Sequence, residues 1–368
     1  MMHNTPAYIL GIATTVPDNV LTQAAYSASL ATLLNLSEKE AALVSNLAQR
    51  SAIQRRHTVI SDFLRPPAEW TFFQADTQDP LPSTQKRNEL YKQLAPGLSI
   101  EVAQRVLVQA GTSAAAITHI IYISCTGLMA PGVEFYIATA LSLSPWVQRY
   151  GINFMGCFGA LRGLALASAL ASQNPSHRIL VVCTELCSLH VQQPTTMDAL
   201  IGNALFADGS AAMIVGCMPT VHERPLWEIV SSTAYIIKDS PQDMTWDVSN
   251  QGFVMRLSAR VPKYIQQGIE YFANQVIADR FSYGDADWAV HPGGKAIIQA
   301  VEKACQLTPE QTESSWRVLA DYGNMSSATM PFVLEDLCRK KRAPWTVGLA
   351  FGPGLSLEGI VLRTVYDE

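Results

Sequence analysis

Three residues whose side chains could do covalent chemistry lie at matching points of the chain. Cys157, His291 and Asn324 stand in GCFGALRGL, AVHPGGKAI and YGNMSSATM, each where a strand-like run passes into an apolar, helix-like run. A cysteine can accept an acyl group as a thioester, and an imidazole and an amide can donate hydrogen bonds to an oxyanion. The three positions therefore predict an acyltransferase that forms carbon–carbon bonds, using the enolate left when a second thioester loses carbon dioxide.

Each residue also has an ordinary structural interpretation. Cys157 precedes an Ala- and Leu-rich stretch, so it fits a buried structural cysteine, or a thiol at a helix N-terminus whose pKa falls below about 8.5 beside an imidazolium. His291 fits a core histidine, although the following Pro-Gly-Gly turn favours a strand end. Asn324 fits a helix N-cap. Their shared type of junction favours the joint site, because a duplicated fold brings such junctions together.

An internal similarity predicts that duplication. Cys125 and Cys157 are 32 residues apart, and His291 and Asn324 are 33 apart, in segments that both run strand, loop, helix, turn, strand, loop, helix, strand. ILVVCTE at 179–185 and TVGLAFG at 346–352 keep the same order. We therefore predict two α/β halves, residues 1–220 with the nucleophile and residues 221–368 with the histidine and asparagine.

Apolar spacing predicts the individual elements. Strands are expected near 7–13, 119–125, 151–155, 179–184, 210–216, 227–237, 287–291, 317–320, 346–351 and 357–365. Helices are expected near 38–50, 99–110, 132–143, 158–173, 262–279, 294–306 and 327–341. The proline-bearing stretch 58–98 is expected to be an irregular excursion with one short helix, and 238–256 a loop-like insertion.

Composition argues against several classes of protein. The 368 residues are 48% hydrophobic and 15% charged, with a net charge of −5, which disfavours a nucleic-acid or anionic-membrane surface. Apolar runs such as 164–170 are too short to span a membrane, and no basic region typical of a secretion signal opens the sequence, so we expect a cytoplasmic protein. Seven cysteines without metal-ligand spacing predict neither a disulfide framework nor a metal site.

The motifs GCFGALRG, VVCTE, ALFADGSAAMIVG, HPGGKAI, YGNMSSAT and FGPGLSLEG, spread over residues 118–365, resemble those of the type III polyketide synthases. This is the chalcone synthase family of the thiolase-like superfamily. The resemblance implies a five-layered α/β/α/β/α fold, a homodimer, no cofactor, and malonyl-CoA with an acyl-CoA or acyl-carrier-protein starter as substrates. It implies that Cys157 is the nucleophile, that His291 and Asn324 promote malonyl decarboxylation, and that Phe206 is a gate.

The resemblance also implies a substrate cavity that departs from the plant pattern. Cys125 replaces the first residue of a usual threonine pair and is followed by Thr126, Ala130 replaces a methionine that reaches the partner subunit, and Met255 replaces a second gate phenylalanine. Trp246 stands near a usual glycine. The other implied wall residues are Cys187, Leu189, His190, Gly202, Ser326 and Pro353. These changes are similar to bacterial alkylpyrone or alkylresorcinol synthases, which accept fatty acyl starters in an apolar tunnel.

At the implied mouth for coenzyme A, Arg50 and Ala296 match the family, whereas Leu43 and Asn46 stand where basic residues are usual. The neighbouring pair Arg55 and Arg56 is expected to lie on a solvated face. Fewer phosphate contacts weaken coenzyme A binding. The sequence therefore leaves open whether coenzyme A or an acyl-carrier protein delivers the acyl group.

Other functions stay open as well. The enzyme could be a chalcone or stilbene type with an aromatic starter, a condensing enzyme like ketoacyl synthase III, or a thiolase-like protein that binds acyl groups without extending them. Papain-like proteases also use Cys, His and Asn, and His291 lies 134 residues after Cys157. Their CGSC-type setting is missing here, however.

Overall fold

The structure, a computed structural model, describes residues 5–73, 81–193, 197–258 and 260–366. Its strands are β1 (Ala7–Thr15), β2 (Asn19–Thr22), β3 (Arg55–Thr58), β4 (His119–Ser124), β5 (Gln148–Asn153), β6 (Arg178–Leu186), β7 (Asp208–Gly216), β8 (Trp227–Ile236), β9 (Met244–Ser249), β10 (Gly252–Leu257), β11 (Ala286–Val290), β12 (Trp345–Gly352) and β13 (Ser356–Thr364).

The helices are α1 (Gln23–Leu33), α2 (Glu38–Arg50), α3 (Thr84–Ala110), α4 (Val133–Ala140), α5 (Gly159–Gln173), α6 (Met197–Leu205), α7 (Val261–Ile277), α8 (Lys295–Cys305), α9 (Pro309–Tyr322) and α10 (Thr329–Leu337). Short 3₁₀ helices cover Ser61–Leu64, Pro67–Glu69, Ala114–Ala116, Gly156–Phe158, Cys187–His190, Tyr283–Asp285 and Ser326–Ala328.

Nine strands form one mixed sheet in the order β11-β12-β13-β8-β1-β7-β6-β4-β5. The pairs β4–β5, β4–β6 and β11–β12 are parallel, and the others are antiparallel. Strand β8 begins the second predicted half and pairs with β1 of the first. The sheet is therefore continuous across the predicted division at residue 220, which stays a prediction.

Helices cover both faces of this sheet and divide the core into layers. Ile179, Val181 and Cys183 of β6 pack into a central core with α5 and α10, whereas Leu180 and Val182 face α3. In the second half, Ala350 and Ile360 join the same central core, and alternate residues of β12 and β13 face α7 and α8. Strands buried on both faces need continuous apolar runs, which explains the high hydrophobic content.

Several predicted elements differ from the structure. The predicted strand at 317–320 is wrong, because WRVLADY completes α9 on a helical spacing. The segment 238–256 contains the hairpin β9–β10 and not a loop. In 58–98, α3 already begins at Thr84, capped by Ser83, and runs through Pro96 without ending. Residues 74–80 of that stretch, which include Pro80, lie outside the described residues.

The helices α1, α6 and α9 lay outside the sequence predictions. The second copy of the repeat consequently has a helix where the first has β5, so the duplication is closest in the central helices and their flanking strands. Within the described ranges, we find no helix with the length and apolarity needed to cross a bilayer.

Candidate active site

Cys157 lies in a tight turn at the start of a central helix. Gly156 adopts a φ of +79°, and a methyl group added there would lie 2.4 Å from Pro353 Cδ, so the position needs glycine. Cys157 follows in the 3₁₀ turn that leads into α5 and is 8% exposed. The sequence prediction of a cysteine at a strand-to-helix junction is confirmed in this respect.

Asn324 occupies the corresponding junction after α9. Its N–H donates to Leu205 O at 3.0 Å, and its carbonyl accepts from Ala207 N–H at 2.8 Å, so the backbone is fixed beside Phe206. The side-chain Oδ1 accepts from Ser326 N–H at 2.8 Å, which directs Nδ2 toward Gly293 O at 3.4 Å. The carboxamide also lies near enough to the Cys157 thiol to lower its pKa, so it stands between that thiol and the loop that carries His291.

His291 follows β11 and is 1% exposed, with its N–H bonded to Leu349 O at 2.7 Å. Neither ring nitrogen has a hydrogen-bond partner among the described residues. Burial alone lowers the pKa of His291 to about 3, so the resting imidazole is neutral. A buried polar group without a partner costs free energy, and such an imidazole is available to a ligand.

The predicted lowering of the Cys157 pKa is wrong for this resting site. Burial raises the pKa of Cys157 to about 12, and hydrogen bonds from Ser326 and Asn324 offset the effect only in part. The neutral His291 supplies no stabilising imidazolium. The thiolate must therefore form by proton transfer during the reaction.

The cavity beside Cys157 is small. It has a volume of about 20 Å³, which holds about one water molecule. The predicted residues that line it are Cys125, Thr126, Cys157, Cys187, Phe206, Trp246, Met255, Ser326 and Pro353. Trp246 fills most of one side, because its Nε1–H donates to Cys125 O at 2.7 Å and its ring packs on Phe206 and His190.

Comparison with known proteins agrees with this geometry. Residues 1–219 match the family model "Chalcone and stilbene synthases, N-terminal domain", and residues 228–366 match the corresponding C-terminal domain. The chain belongs to the chalcone and stilbene synthase family. Membership confirms the resemblance to type III polyketide synthases, which are acyltransferases.

Individual relatives agree with the family. The chain is 33% identical over 370 residues to "Probable polyketide synthase 1" of Dictyostelium discoideum, covering 98% of this chain but only 12% of that much longer protein. The type III polyketide synthase domain of Steely1, a type I/III hybrid from Dictyostelium, superposes with a TM-score of 0.92 at 32% identity, over 98% of this chain and 100% of that domain. PKS-I from the brown alga Ectocarpus siliculosus gives 0.91 at 29% identity, over 99% of each chain. These matches confirm the predicted thiolase-like fold.

The remaining predicted cavity residues of this family member are dispersed. A second small cavity, also about 20 Å³, is lined by His190 and Gly202 together with Cys187, Phe206, Trp246 and Met255. His190 contacts Thr126 O through Nε2 at 2.8 Å and accepts from Phe253 N–H at 3.0 Å. Its ring therefore connects the loop that contains Thr126 to strand β10.

Two further predicted residues, Leu189 and Ala130, line neither of these two cavities. Leu189 is fully buried in the core under α3, because its 3₁₀ turn directs it inward. Ala130 lines a separate cavity of about 300 Å³ near the edge strand β5.

Arg50 and Ala296, the residues expected at a mouth for coenzyme A, both line one cavity of about 330 Å³ with mostly apolar walls. Lys295 adds a second cation there, at the first turn of α8. Gly293 and Leu205 also line it, so the mouth leads toward the backbone that flanks His291 and Asn324. The binding of coenzyme A at this mouth stays a prediction.

Glu185 was missed by sequence reasoning. It is fully buried and accepts hydrogen bonds from Cys125 N–H at 2.9 Å, Thr126 Oγ1 at 2.9 Å and Ser327 Oγ at 2.5 Å. Burial raises its pKa. The sequence signal that could have identified it is an acidic residue at the end of the apolar run ILVVCTE. A carboxylate buried at such a position needs several hydrogen-bond donors. Glu185 thereby joins the loop of Cys125 to the turn after Asn324.

Proposed function

We propose that this chain takes an acyl starter as a thioester on Cys157, extends it with malonyl units, and releases a cyclised polyketide. The observation that carries the proposal is the neutral, buried His291, whose ring nitrogens have no partner within the described residues, next to the loop held by the Asn324 carboxamide. Such donors stabilise an oxyanion without any reorganisation of solvent.

The loading step follows from the two pKa values. Cys157 Sγ attacks the starter thioester carbonyl while its proton passes to His291, since neither the free thiolate nor the free imidazolium is favoured in this buried site. The carbon–sulfur bond of the donor breaks, and the departing thiolate takes the proton from His291. The acyl group is then bound to Cys157.

The extension step uses the same groups as hydrogen-bond donors. A malonyl thioester loses carbon dioxide, and the released electron pair forms an enolate whose oxygen accepts hydrogen bonds from His291 and Asn324. The enolate carbon attacks the acyl carbonyl on Cys157 and its carbon–sulfur bond breaks. The extended chain is then a thioester of the malonyl carrier, and the released Cys157 thiolate takes up a proton from solvent. Because the thioester and the carboxylate supply the activation, the proposed reaction requires no cofactor.

For the starter, we propose a short acyl group in preference to the long alkyl chain that the sequence suggested. The cavity of about 20 Å³ beside Cys157 favours this choice, because Trp246 occupies the space that a tunnel would need. The walls Met244 and Met255 are adaptable side chains, so growth of the chain by malonyl units can displace them. An alkylpyrone or alkylresorcinol made in this cavity would therefore carry a short alkyl group.

For the donor, we propose malonyl-CoA, with the starter carried either by coenzyme A or by an acyl-carrier protein. The mouth offers Arg50 and Lys295 for phosphate, and its walls are otherwise largely apolar. Two cations suit the single phosphate of a carrier-protein arm as well as part of coenzyme A. A cytoplasmic location remains a prediction.

We also propose a homodimer through β5. This strand ends the sheet, and its residues are almost all exposed, so its outer edge is open to pairing within the described chain. Phe135, Tyr136 and Trp146 expose 41%, 38% and 86% of their surface and supply aromatic surface that a partner could cover. The test is the molar mass in solution, measured by light scattering for the wild type and for Tyr150→Glu on β5. We expect a dimer for the wild type and a monomer for the variant, and a dimer for both proteins would contradict this interface.

The proposed activity is tested with malonyl-CoA and a panel of acetyl-, butyryl-, hexanoyl- and coumaroyl-CoA, followed by mass identification of the products. We expect carbon dioxide release and extended, cyclised products, and loss of both extension and product in Cys157→Ala. Acyl binding to Cys157 without release of carbon dioxide would instead identify a non-extending acyl-binding protein.

A further inference from the structure

Arg56, which the sequence predicted to lie on a solvated face, is 1% exposed. It lies beside the segment 204–207, which contains Phe206. Its guanidinium lies 4.0 Å from the centre of the Tyr26 ring and donates from Nε and Nη2 to Gln23 Oε1 at 3.1 and 2.5 Å. No carboxylate of the described residues lies within ion-pair distance of it, and the buried Asp208 carboxylate acts on it only from farther away. A buried cation without a carboxylate in contact is costly, so nearby hydrogen-bond acceptors must also stabilise it.

Backbone carbonyls provide that stabilisation. Arg56 Nη2 donates to Ala204 O at 2.5 Å, and Nη1 donates to Phe206 O at 2.6 Å. Both carbonyls belong to the C-terminal end of α6 and the residue that follows it, where the last carbonyls have no partner within the helix. Positive charge is favoured at that end of a helix dipole. Gln23 Nε2 donates to Ala204 O as well, at 2.9 Å.

The same short segment is tied to Asn324 from its other side. Leu205 O accepts from Asn324 N–H, and Ala207 N–H donates to Asn324 O. Phe206 therefore has Arg56 on its own carbonyl and Asn324 on the peptide groups before and after it. A shift of this segment moves the Phe206 ring and the Asn324 backbone together.

We propose that Arg56 is a positioning residue that fixes the segment 204–207, and through it aligns Asn324 and Phe206 for malonyl decarboxylation. This proposal rests on the proposed function of the Cys157 site. Arg56 acts through other residues and does not itself touch the substrate. Its planar fork is required, since a lysine ammonium is a point charge that cannot hold carbonyls of Ala204 and Phe206 in a fixed geometry.

The test is Arg56→Lys, which keeps the charge and removes the fork. We expect the rate of malonyl-CoA decarboxylation to fall by about 10- to 100-fold, as small misplacements of catalytic groups do. Acylation of Cys157 by the starter, which uses His291 but not the Asn324 donor, should stay close to the wild-type rate. The ratio of decarboxylation to acylation is therefore the readout, because general loss of folded protein lowers both rates equally.

Arg178→Lys is the matched control. Arg178 is also buried, and it bonds to Cys217 O at 3.0 Å, Met218 O at 3.1 Å and Glu223, but it lies at the opposite end of β6 from Glu185. We expect Arg178→Lys to lower the melting temperature and leave the ratio unchanged. Both variants are assayed below their melting temperatures.

If Arg56→Lys does not fold, Gln23→Leu decides the question. It removes the acceptor that orients the guanidinium and should lower the same ratio in the same direction. An unchanged ratio in whichever variant folds would overturn the positioning role. A wild-type chain that releases no carbon dioxide from malonyl-CoA would instead refute the proposed function, so the two failures are distinguishable.

Discussion

Replacing Trp246 by alanine should lengthen the starter that the enzyme prefers. In the wild-type cavity of about 20 Å³, further methylenes on the starter find no apolar space, so kcat/KM should not rise with chain length. Removing the indole opens the wall between Cys125, Phe206 and His190. Each methylene buried there contributes about 0.8 kcal/mol, or about a fourfold gain in kcat/KM. The gain should continue over a few carbons and then stop.

The assay is kcat/KM for acetyl- through decanoyl-CoA with saturating malonyl-CoA. Trp246 is only partly buried, so its replacement should cost no more than the low end of the roughly 3–5 kcal/mol found for core Trp→Ala changes. Val248→Ala is the control, since Val248 lies on the same strand β9 and is 62% exposed. A chain-length profile of Trp246→Ala identical to that of Val248→Ala would refute the account of the cavity.

Three further predictions concern the catalytic residues and pH. Cys157→Ala should abolish the acyl-enzyme and product, whereas Cys338→Ala, away from the cavity, should keep both, as intact-mass measurement will show. Asn324→Ala should lower malonyl decarboxylation by about 10²–10³-fold while acyl-Cys157 still forms; equal loss of both steps would indicate a structural role. Burial lowers the pKa of His190 from 6.5 to about 3, so the folded chain binds fewer protons and its free energy of unfolding should fall as pH drops from 6.5 toward 3. His190→Gln should make that dependence less steep, with the part due to the equally shifted His291 remaining, and the exposed His222→Gln should leave it unchanged.

The sequence predicted the central layers of the fold better than its periphery. Strands such as β6 and β7 are buried on both faces, so their apolar runs are unambiguous. The segment of α9 that was predicted as a strand, by contrast, has a short apolar run that fits either element. The local signals that favoured a helix lie upstream of that run, in the capping box of Thr308 and Gln311 and in Pro309 at the first helical position, and the packing of α9 on β11 and α10 agrees with them.

The candidate site shows the same limit. The types and junctions of Cys157, His291 and Asn324 were readable from the chain, but their protonation states were not, because burial reverses the direction expected from a helix N-terminus. Arg56 was misassigned for a related reason. A pair of arginines looks solvated in the sequence, and only the fold shows that Arg56 points inward to the end of α6 while Arg55 meets Asp321 at the surface.

The two predicted halves of the chain are in contact at the candidate active site. The 3₁₀ turn Gly156–Phe158 leads into α5, and the 3₁₀ turn Ser326–Ala328 leads into α10, the two helices of the central layer. A methyl group at Gly159 would lie 3.3 Å from Ser327 Cβ, so the turns are in close contact. Ser326 takes a φ of +49°, a conformation that costs about 1–3 kcal/mol in a non-glycine residue, yet there its side chain lowers the pKa of the Cys157 thiol. The packing of the central layer therefore maintains a strained turn beside the proposed nucleophile, and loosening that layer should reduce acylation before it unfolds the chain.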